Sequence, residues 1–301
     1  MNHAVTKIPW SESVWFSDID DTLIDTQAAS VPGSEGVRLA LAGHYGDKKA
    51  GDIQAGLNAA FELMVAGYRV RHQSDWQNVP GGEPAFDELM DYVTSVQTQV
   101  QAGYGHIKKW SREIFIKLAA DKAGVEITPE LVHEATDAYW MTLTKHVKIF
   151  PDAMRLAATI ASHGRPLYLV TSSDGRLKMQ ADGQFVYEPA YSEALKRQRI
   201  ELLRARGLRF NTISIGDPED KPHPDFFTKA VRLAETDLGH SVDCSKAVMM
   251  GDSFGGDLQV PKEQLGFGLV VLREYGRNQL DVIDAHQITV GDVHEAAQFL
   301  N

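Results

Sequence analysis

Only one cysteine, Cys244, occurs in the 301 residues, so no disulfide can form within the chain. It lies among Ser241, Val242, Asp243 and Ser245 with no basic helper beside it, which makes it a poor candidate nucleophile. No run approaches the ~20 consecutive apolar residues of a membrane span, so no membrane association is expected. Met1 to Glu12 holds one lysine and no apolar stretch, which predicts no secretory leader. With so little cysteine, the expected location is cytoplasmic. Basic residues are also scarce: 30 Lys and Arg against 41 Asp and Glu give a net charge of −11. That balance argues against a nucleic acid polymer as partner, since such binding rests on many cationic contacts to phosphate. A small phosphorylated molecule stays compatible, because one local cation and a metal can hold it. Internal repeats and low-complexity tracts are absent, and nothing in the sequence indicates an oligomeric state.

What is present is an alternation of short β-prone runs and helical patterns. Ser13–Ser17 is apolar and breaks off at Asp18-Ile19-Asp20-Asp21-Thr22. The same pattern returns where Pro166–Val170 meets Thr171-Ser172-Ser173, where Asn211–Ile215 meets Gly216-Asp217, and where Ala247–Met250 meets Gly251-Asp252; Gly268–Leu272 is a fifth such run. Between them, Ala153–His163 and Ser192–Arg206 have helical spacing and end at Gly164 and Gly207, while Asp225–Leu233 follows Pro222 and Pro224. Strands alternating with helices predict an α/β fold, a Rossmann-like parallel sheet. Ligands of such sheets bind at the strands' carboxyl ends, which is where the Asp, Thr and Gly-Asp residues fall.

Residues 28–148 differ in character. Val37–Leu41, Ala55–Ala66, Ala85–Gln101, Ile107–Lys122 and Pro129–Thr144 are all helical in periodicity, interrupted at Pro80-Gly81-Gly82. They predict a helical domain over 28–148, inserted into a discontinuous core of 1–27 and 149–301, with hinges near Thr26–Pro32 and His146–Pro151. Asp182-Gly183 within Leu177–Tyr187 predicts a hairpin.

Asp18 and Asp20 are two apart, so in an extended segment they face the same side. Two such carboxylates repel unless a cation or proton lies between them; the same residues are equally compatible with a helix N-cap. Asp252 and Asp257 form a second acidic pair in a glycine-rich segment, which read alone is a turn and read with the first pair is a candidate magnesium cage. Lys221, held extended before Pro222, can neutralise a phosphoryl group. Thr171 with the Ser172 amide can hold phosphate oxygens or form a Ser/Thr turn. Within the helical insert, Arg69, Arg71, His72, His106, Lys109, Trp110 and Arg112 are the polar residues among apolar ones. Lys109, Trp110 and Arg112 are the expected substrate-facing cluster.

Taken in order, Asp18 to Thr22 (DIDDT), Leu167 to Ser172 (LYLVTS), Lys221 to Phe227 (KPHPDFF) and Met250 to Asp257 (MGDSFGGD) resemble the four motifs of the haloacid dehalogenase superfamily. The insert's position resembles that superfamily's cap of the first type. The resemblance implies a phosphatase in which Asp18 is the nucleophile. Asp20 would be its acid and base, and would contact the metal through its carbonyl. Thr171, Ser172 and Lys221 would bind phosphate, and Asp18, Asp252 and Asp257 would serve the magnesium site. Dehalogenating relatives lack an acid at the position of Asp20. Asp21, where many relatives have Gly, is read as a turn or capping residue. The expected substrate is a small phosphomonoester. Phosphoryl transfer to a sugar hydroxyl, or a non-catalytic regulatory role, would use the same motifs.

Overall fold

The computed structural model describes residue 5 and residues 7–70, 76–104, 111–217 and 219–301, with the backbone alone of residues 69 and 104. The chain divides into two compact units. The first holds Met1–Gln27, Val147–Ser173 and Glu193–Asn301; the second holds Ala28–His146 and Asp174–Ser192. Among the described residues, no helix is long and apolar enough to cross a membrane.

The first unit is built on a seven-stranded sheet. Its strands are β1 (Val14–Ser17), β2 (Leu167–Ser172), β5 (Ile213–Gly216), β6 (Ala247–Gly251), β7 (Leu269–Arg273), β8 (Asp281–Asp284) and β9 (Gln287–Val290). They lie in the order β5-β2-β1-β6-β7-β9-β8, parallel throughout except for the β8–β9 pair. All four residues of β1 are buried, as expected of a central strand covered on both faces. Val14 and Phe16 join Tyr168, Val170, Met249 and Val270 in one core. Helix α7 (Pro224–Leu238) covers that core with Phe226, Phe227, Ala230 and Ala234, spaced to fall on one face. It runs past the predicted Leu233 because its periodicity continues to Leu238, and it stops at Gly239 in the left-handed conformation. The other helices of this unit include α5 (Pro151–Ser162), which buries Ala153, Leu156, Ala157 and Ile160, and α8 (Gln259–Glu263). Strands β8 and β9 extend the sheet beyond the five strands predicted.

In the second unit, α1 (Thr26–Val70) is broken at Gly46, where φ is +78°. It is followed by α2 (Gly82–Tyr104), α3 (Arg112–Lys122) and α4 (Pro129–His146). The predicted hairpin forms from β3 (Leu177–Met179) and β4 (Phe185–Tyr187), with Gly183 at positive φ. Its placement corrects the predicted boundary: 174–192 belongs with the helices and not with the core of 149–301. The reason is burial, since Leu177, Met179, Phe185 and Tyr187 point to one face and pack on α2, α3 and α4. Helix α6 (Pro189–Ala205) follows.

A buried ion pair fixes the hairpin's entry. The fully buried Arg176 donates Nε to Glu113 Oε1 at 2.5 Å and Nη2 to Asp137 Oδ1 at 2.8 Å, and its guanidinium lies 4.7 Å from the Tyr191 ring. Removing one partner of such a pair strands the other's charge in a low-dielectric interior. Glu113→Leu is therefore expected to destabilise the protein by about 3 kcal/mol, measured by urea denaturation. A change within experimental error would mean that Asp137 alone satisfies Arg176.

Candidate active site

Strand register brings the acidic residues together. Ser17 lies opposite Met250 in the β1–β6 pair, and the Asp18 amide donates to the Met250 carbonyl at 2.9 Å. Asp18 and the Gly251-Asp252 step thus leave neighbouring strands at the same level. After Asp252, Phe254–Leu258 makes one π-helical turn, which returns Asp257 towards the end of β6. Asp257 Oδ2 accepts from the Ser253 amide at 3.0 Å. Gly251 leaves the room this requires, because a Cβ there would collide with the Asp257 side chain.

Asp18, Asp252 and Asp257 each offer a carboxylate oxygen, all within 4.8 Å of one another. Asp18 and Asp257 are buried while Asp252 is exposed. At an effective dielectric of ~20, two carboxylate charges at that spacing repel by roughly 3 kcal/mol. Lys221, whose side chain is 9% exposed, answers part of this: its ammonium binds Asp18 Oδ1 and lies 2.7 Å from Asp257 Oδ1. Thr22 Oγ1 donates to the other Asp18 oxygen at 3.2 Å. One cation among three carboxylates leaves a surplus of negative charge, and the titrations follow from it. Burial, opposed by Lys221 and aided by Asp257 and Asp20, pushes the Asp18 carboxyl up to about 7. Asp252 is exposed at its surface yet crowded enough by the surrounding chain to lose hydration, and this, with the charges of Asp18, Asp257 and Asp21, pushes it up to about 8. For Lys221, burial works against the charge, but Asp18 and Asp257 outweigh it and hold the ammonium above its ordinary value.

Hard oxygen donors with excess negative charge suit magnesium, whose shell is roughly 4.2 Å across between opposite ligands, so three oxygens within 4.8 Å of one another need only small movements to share one ion. Asp18, Asp252 and Asp257 are the residues that could hold it. The Asp20 carboxylate lies outside this cluster. It accepts from Thr26 Oγ1 at 2.8 Å, is bound by Lys196, and has Arg199 at 3.8 Å. Burial pulls its pKa upwards, but Lys196, Arg199 and these hydrogen bonds prevail and hold it well below the usual carboxylate range. Asp21 has a φ of +58° and accepts from the Thr26 and Gln27 amides, so it caps α1 as expected.

Thr171 is buried at the end of β2, beside β1, and donates to the Ser172 carbonyl at 3.3 Å; Ser172 is half-buried and pairs with Gly216 of β5. Both therefore stand at the carboxyl edge next to Asp18's strand. Arg112 is packed within the second unit, its guanidinium 3.9 Å from the Phe61 ring, 4.9 Å from Tyr139 and 5.2 Å from Trp140. Lys109, Trp110, Arg71, His72 and His106, and the side chain of Arg69, lie outside the described residues.

Lys196 and Arg199 are the residues that the sequence reading missed. Their signal was in the α6 periodicity: Ser192, Lys196, Arg199, Ile200 and Leu203 share one buried stripe, so two cations occupy apolar-face positions.

No protein-family model and no curated protein matches the sequence. Solved structures do. YfnB from Bacillus subtilis, assigned as a HAD-hydrolase and crystallised bound to magnesium, matches with a TM-score of 0.53 at 15% identity, over 95% of this chain and 97% of that one. A Thermotoga maritima protein assigned as a beta-phosphoglucomutase gives 0.52 at 14% identity, over 95% and 98%. An L-2-haloacid dehalogenase gives 0.50 at 12% identity, over 95% and 98%. At these identities the likeness is one of fold.

The raised carboxyls have a testable consequence. Asp18 and Asp252 bind protons more tightly folded than unfolded, where they titrate near 3.8, so the stability this confers is full below about pH 4 and is lost as pH rises through about 7 to 8. In EDTA, Asp252→Asn should therefore gain stability relative to wild type between about pH 5 and about pH 8.5. Magnesium should raise the wild-type melting temperature more than that of the variant. Parallel pH profiles, with equal magnesium effects, would contradict the shared acidic site.

Proposed function

We infer that this chain, folded as the haloacid dehalogenase-like hydrolases are, belongs to that superfamily and is a magnesium-dependent phosphatase acting on a small-molecule phosphomonoester. One observation carries the reading: a buried carboxylate, Asp18, at the carboxyl end of a central parallel strand, gripped by Lys221 and within 4.8 Å of two further carboxylates. Phosphoryl transfer asks chiefly for positioning and neutralisation of charge, and these residues supply both.

Asp18 attacks phosphorus, breaking the bond to the leaving oxygen and forming an aspartyl-phosphate; water then hydrolyses this intermediate and regenerates the carboxylate. Splitting the reaction in this way eases each half. Lys221 neutralises charge on Asp18 and on the phosphoryl group, while Thr171 and the Ser172 amide hold phosphate oxygens. Once clear of Lys196 and Arg199, whose charges keep it ionised, Asp20 takes up a proton from solvent, gives it to the leaving oxygen and recovers one from the attacking water. To do so it exchanges its contacts with Lys196 and Thr26 for the substrate. Asp18, Asp252 and Asp257, with the Asp20 carbonyl, would hold magnesium, which would supply neutralisation of the dianionic phosphoryl group. An acid at Asp20 favours phosphate esters over halides, which leave without a proton. The helical unit, entered after β1, serves as the cap that excludes water.

Turnover of p-nitrophenyl phosphate should require magnesium, stop with EDTA and vanish in Asp18→Asn. Asp20→Asn should still bind phosphate but turn over about 10²-fold or more slowly. Undiminished activity in Asp18→Asn would remove it as nucleophile, and phosphoryl appearing on an added sugar instead of as free phosphate would indicate a transferase.

A further inference from the structure

The nucleophile is anchored from a second direction, through Thr22 of the first motif and two residues outside all four motifs. Thr22, whose hydroxyl donates to Asp18 Oδ2 at 3.2 Å, is itself held by its carbonyl, which accepts from Arg273 Nη1 at 2.8 Å. Arg273 is the last residue of β7 and is 4% exposed. Its guanidinium also faces Asp152 end-on, with Nη1 3.0 Å from Oδ2 and Nη2 3.3 Å from Oδ1. The plane lies 3.9 Å from the centre of the Phe150 ring. Asp152, in the first turn of α5, takes a further hydrogen bond from the Val293 amide at 2.9 Å. Fork geometry and ring stacking together fix a guanidinium more firmly than either alone, and a lysine cannot reproduce both.

The segments joined by Arg273 also run together. Leaving β1, the chain passes Leu23, Ile24 and Asp25; returning, it passes Lys148, Ile149 and Phe150. The two form a short antiparallel ribbon, with Ile24 bridged to Ile149, the Asp25 amide donating to the Lys148 carbonyl at 2.9 Å and the Phe150 amide to the Leu23 carbonyl at 3.0 Å. Arg273 touches both sides of its base: Thr22 on the outgoing side, Phe150 and Asp152 on the returning side.

We propose that Arg273, clamped by Asp152, is a positioning residue that sets the orientation of the Asp18 carboxylate through the Thr22 carbonyl and hydroxyl, and ties that orientation to the paired ribbon of the two connecting segments. The chain Asp152–Arg273–Thr22–Asp18 holds one nucleophile oxygen while Lys221 holds the other. Losing the clamp lets the Asp18-to-Thr22 turn shift and the carboxylate rotate away from its line of attack. The substrate's own contacts stay in place, so the loss falls on kcat and not on KM. The proposal rests on the phosphatase reading of Asp18.

The test is a double-mutant cycle on Thr22→Val and Arg273→Met, with p-nitrophenyl phosphate and magnesium, alongside thermal melts and crystal structures of each variant. Each single variant should lower kcat about tenfold at a KM within about twofold of wild type. The double variant should lose about as much as one single, because both act through one chain. Arg273→Lys, keeping a donor to the Thr22 carbonyl, should recover part of the loss. In the structures of Thr22→Val and Arg273→Met the Asp18 carboxylate should be rotated. Multiplicative losses, or unchanged kcat in a folded Arg273→Met, would overturn the relay. If Arg273→Met alone does not fold, Asp152→Asn with Arg273→Met removes both charges and takes its place in the cycle. Should wild type turn over no phosphomonoester, the phosphatase reading fails by itself. The crystal structures then decide the relay: a rotated Asp18 supports it and an unmoved one overturns it.

Discussion

Everything in the candidate site depends on how the repulsion between Asp18, Asp252 and Asp257 is contained. Three carboxylate oxygens lie within 4.8 Å of one another, two of them on buried side chains, and Lys221 is the cation set between Asp18 and Asp257. That ammonium cannot balance all three charges, so the protein without a metal keeps protons on groups that would otherwise have lost them near pH 4. The backbone is shaped to maintain this arrangement. The β1–β6 register aligns Asp18 with Gly251-Asp252, the π-helical turn brings Asp257 back, and Gly251 leaves space for it. The same spacing that costs stability is one that could hold a hard divalent cation.

Asp20 is governed by a separate set of charges. Its carboxylate is turned to Lys196, Arg199 and Thr26, which stabilise the ionised form. Without metal or substrate the two environments push the neighbouring aspartates apart, Asp18 up and Asp20 down, which is the reverse of what a nucleophile and an acid need, so the proposed roles require a cation beside Asp18 and the release of Asp20 from α6. In the state described here Asp20 is a tethered carboxylate, and the proton transfer proposed for it would follow the release of that tether.

The sheet and its motif residues were legible because their signal is local. A run such as Val14–Ser17 that ends in Asp18 declares a buried strand and its carboxyl end together, and the same holds for Thr171 and Asp252. The prolines around His223 announced the start of α7 for the same reason. Residues recruited across the fold were not legible. Lys196 reaches Asp20 across 176 positions and Arg273 reaches Thr22 across 251, and nothing near them in the sequence names those partners. Placing the hairpin of Leu177–Tyr187 with the wrong unit has a similar origin. Its turn chemistry is local, whereas its allegiance is set by the helices on which Leu177 and Phe185 pack and by the Arg176–Glu113 pair.

The central claim is a covalent bond between Asp18 and phosphorus, and trapping that bond tests it most directly. Enzyme mixed with a phosphomonoester and magnesium, quenched in acid within milliseconds and digested, should yield a phosphorylated peptide that contains Asp18, detected by mass spectrometry. Free phosphate released with no such peptide, or a phosphoryl group found on another residue, would contradict the account.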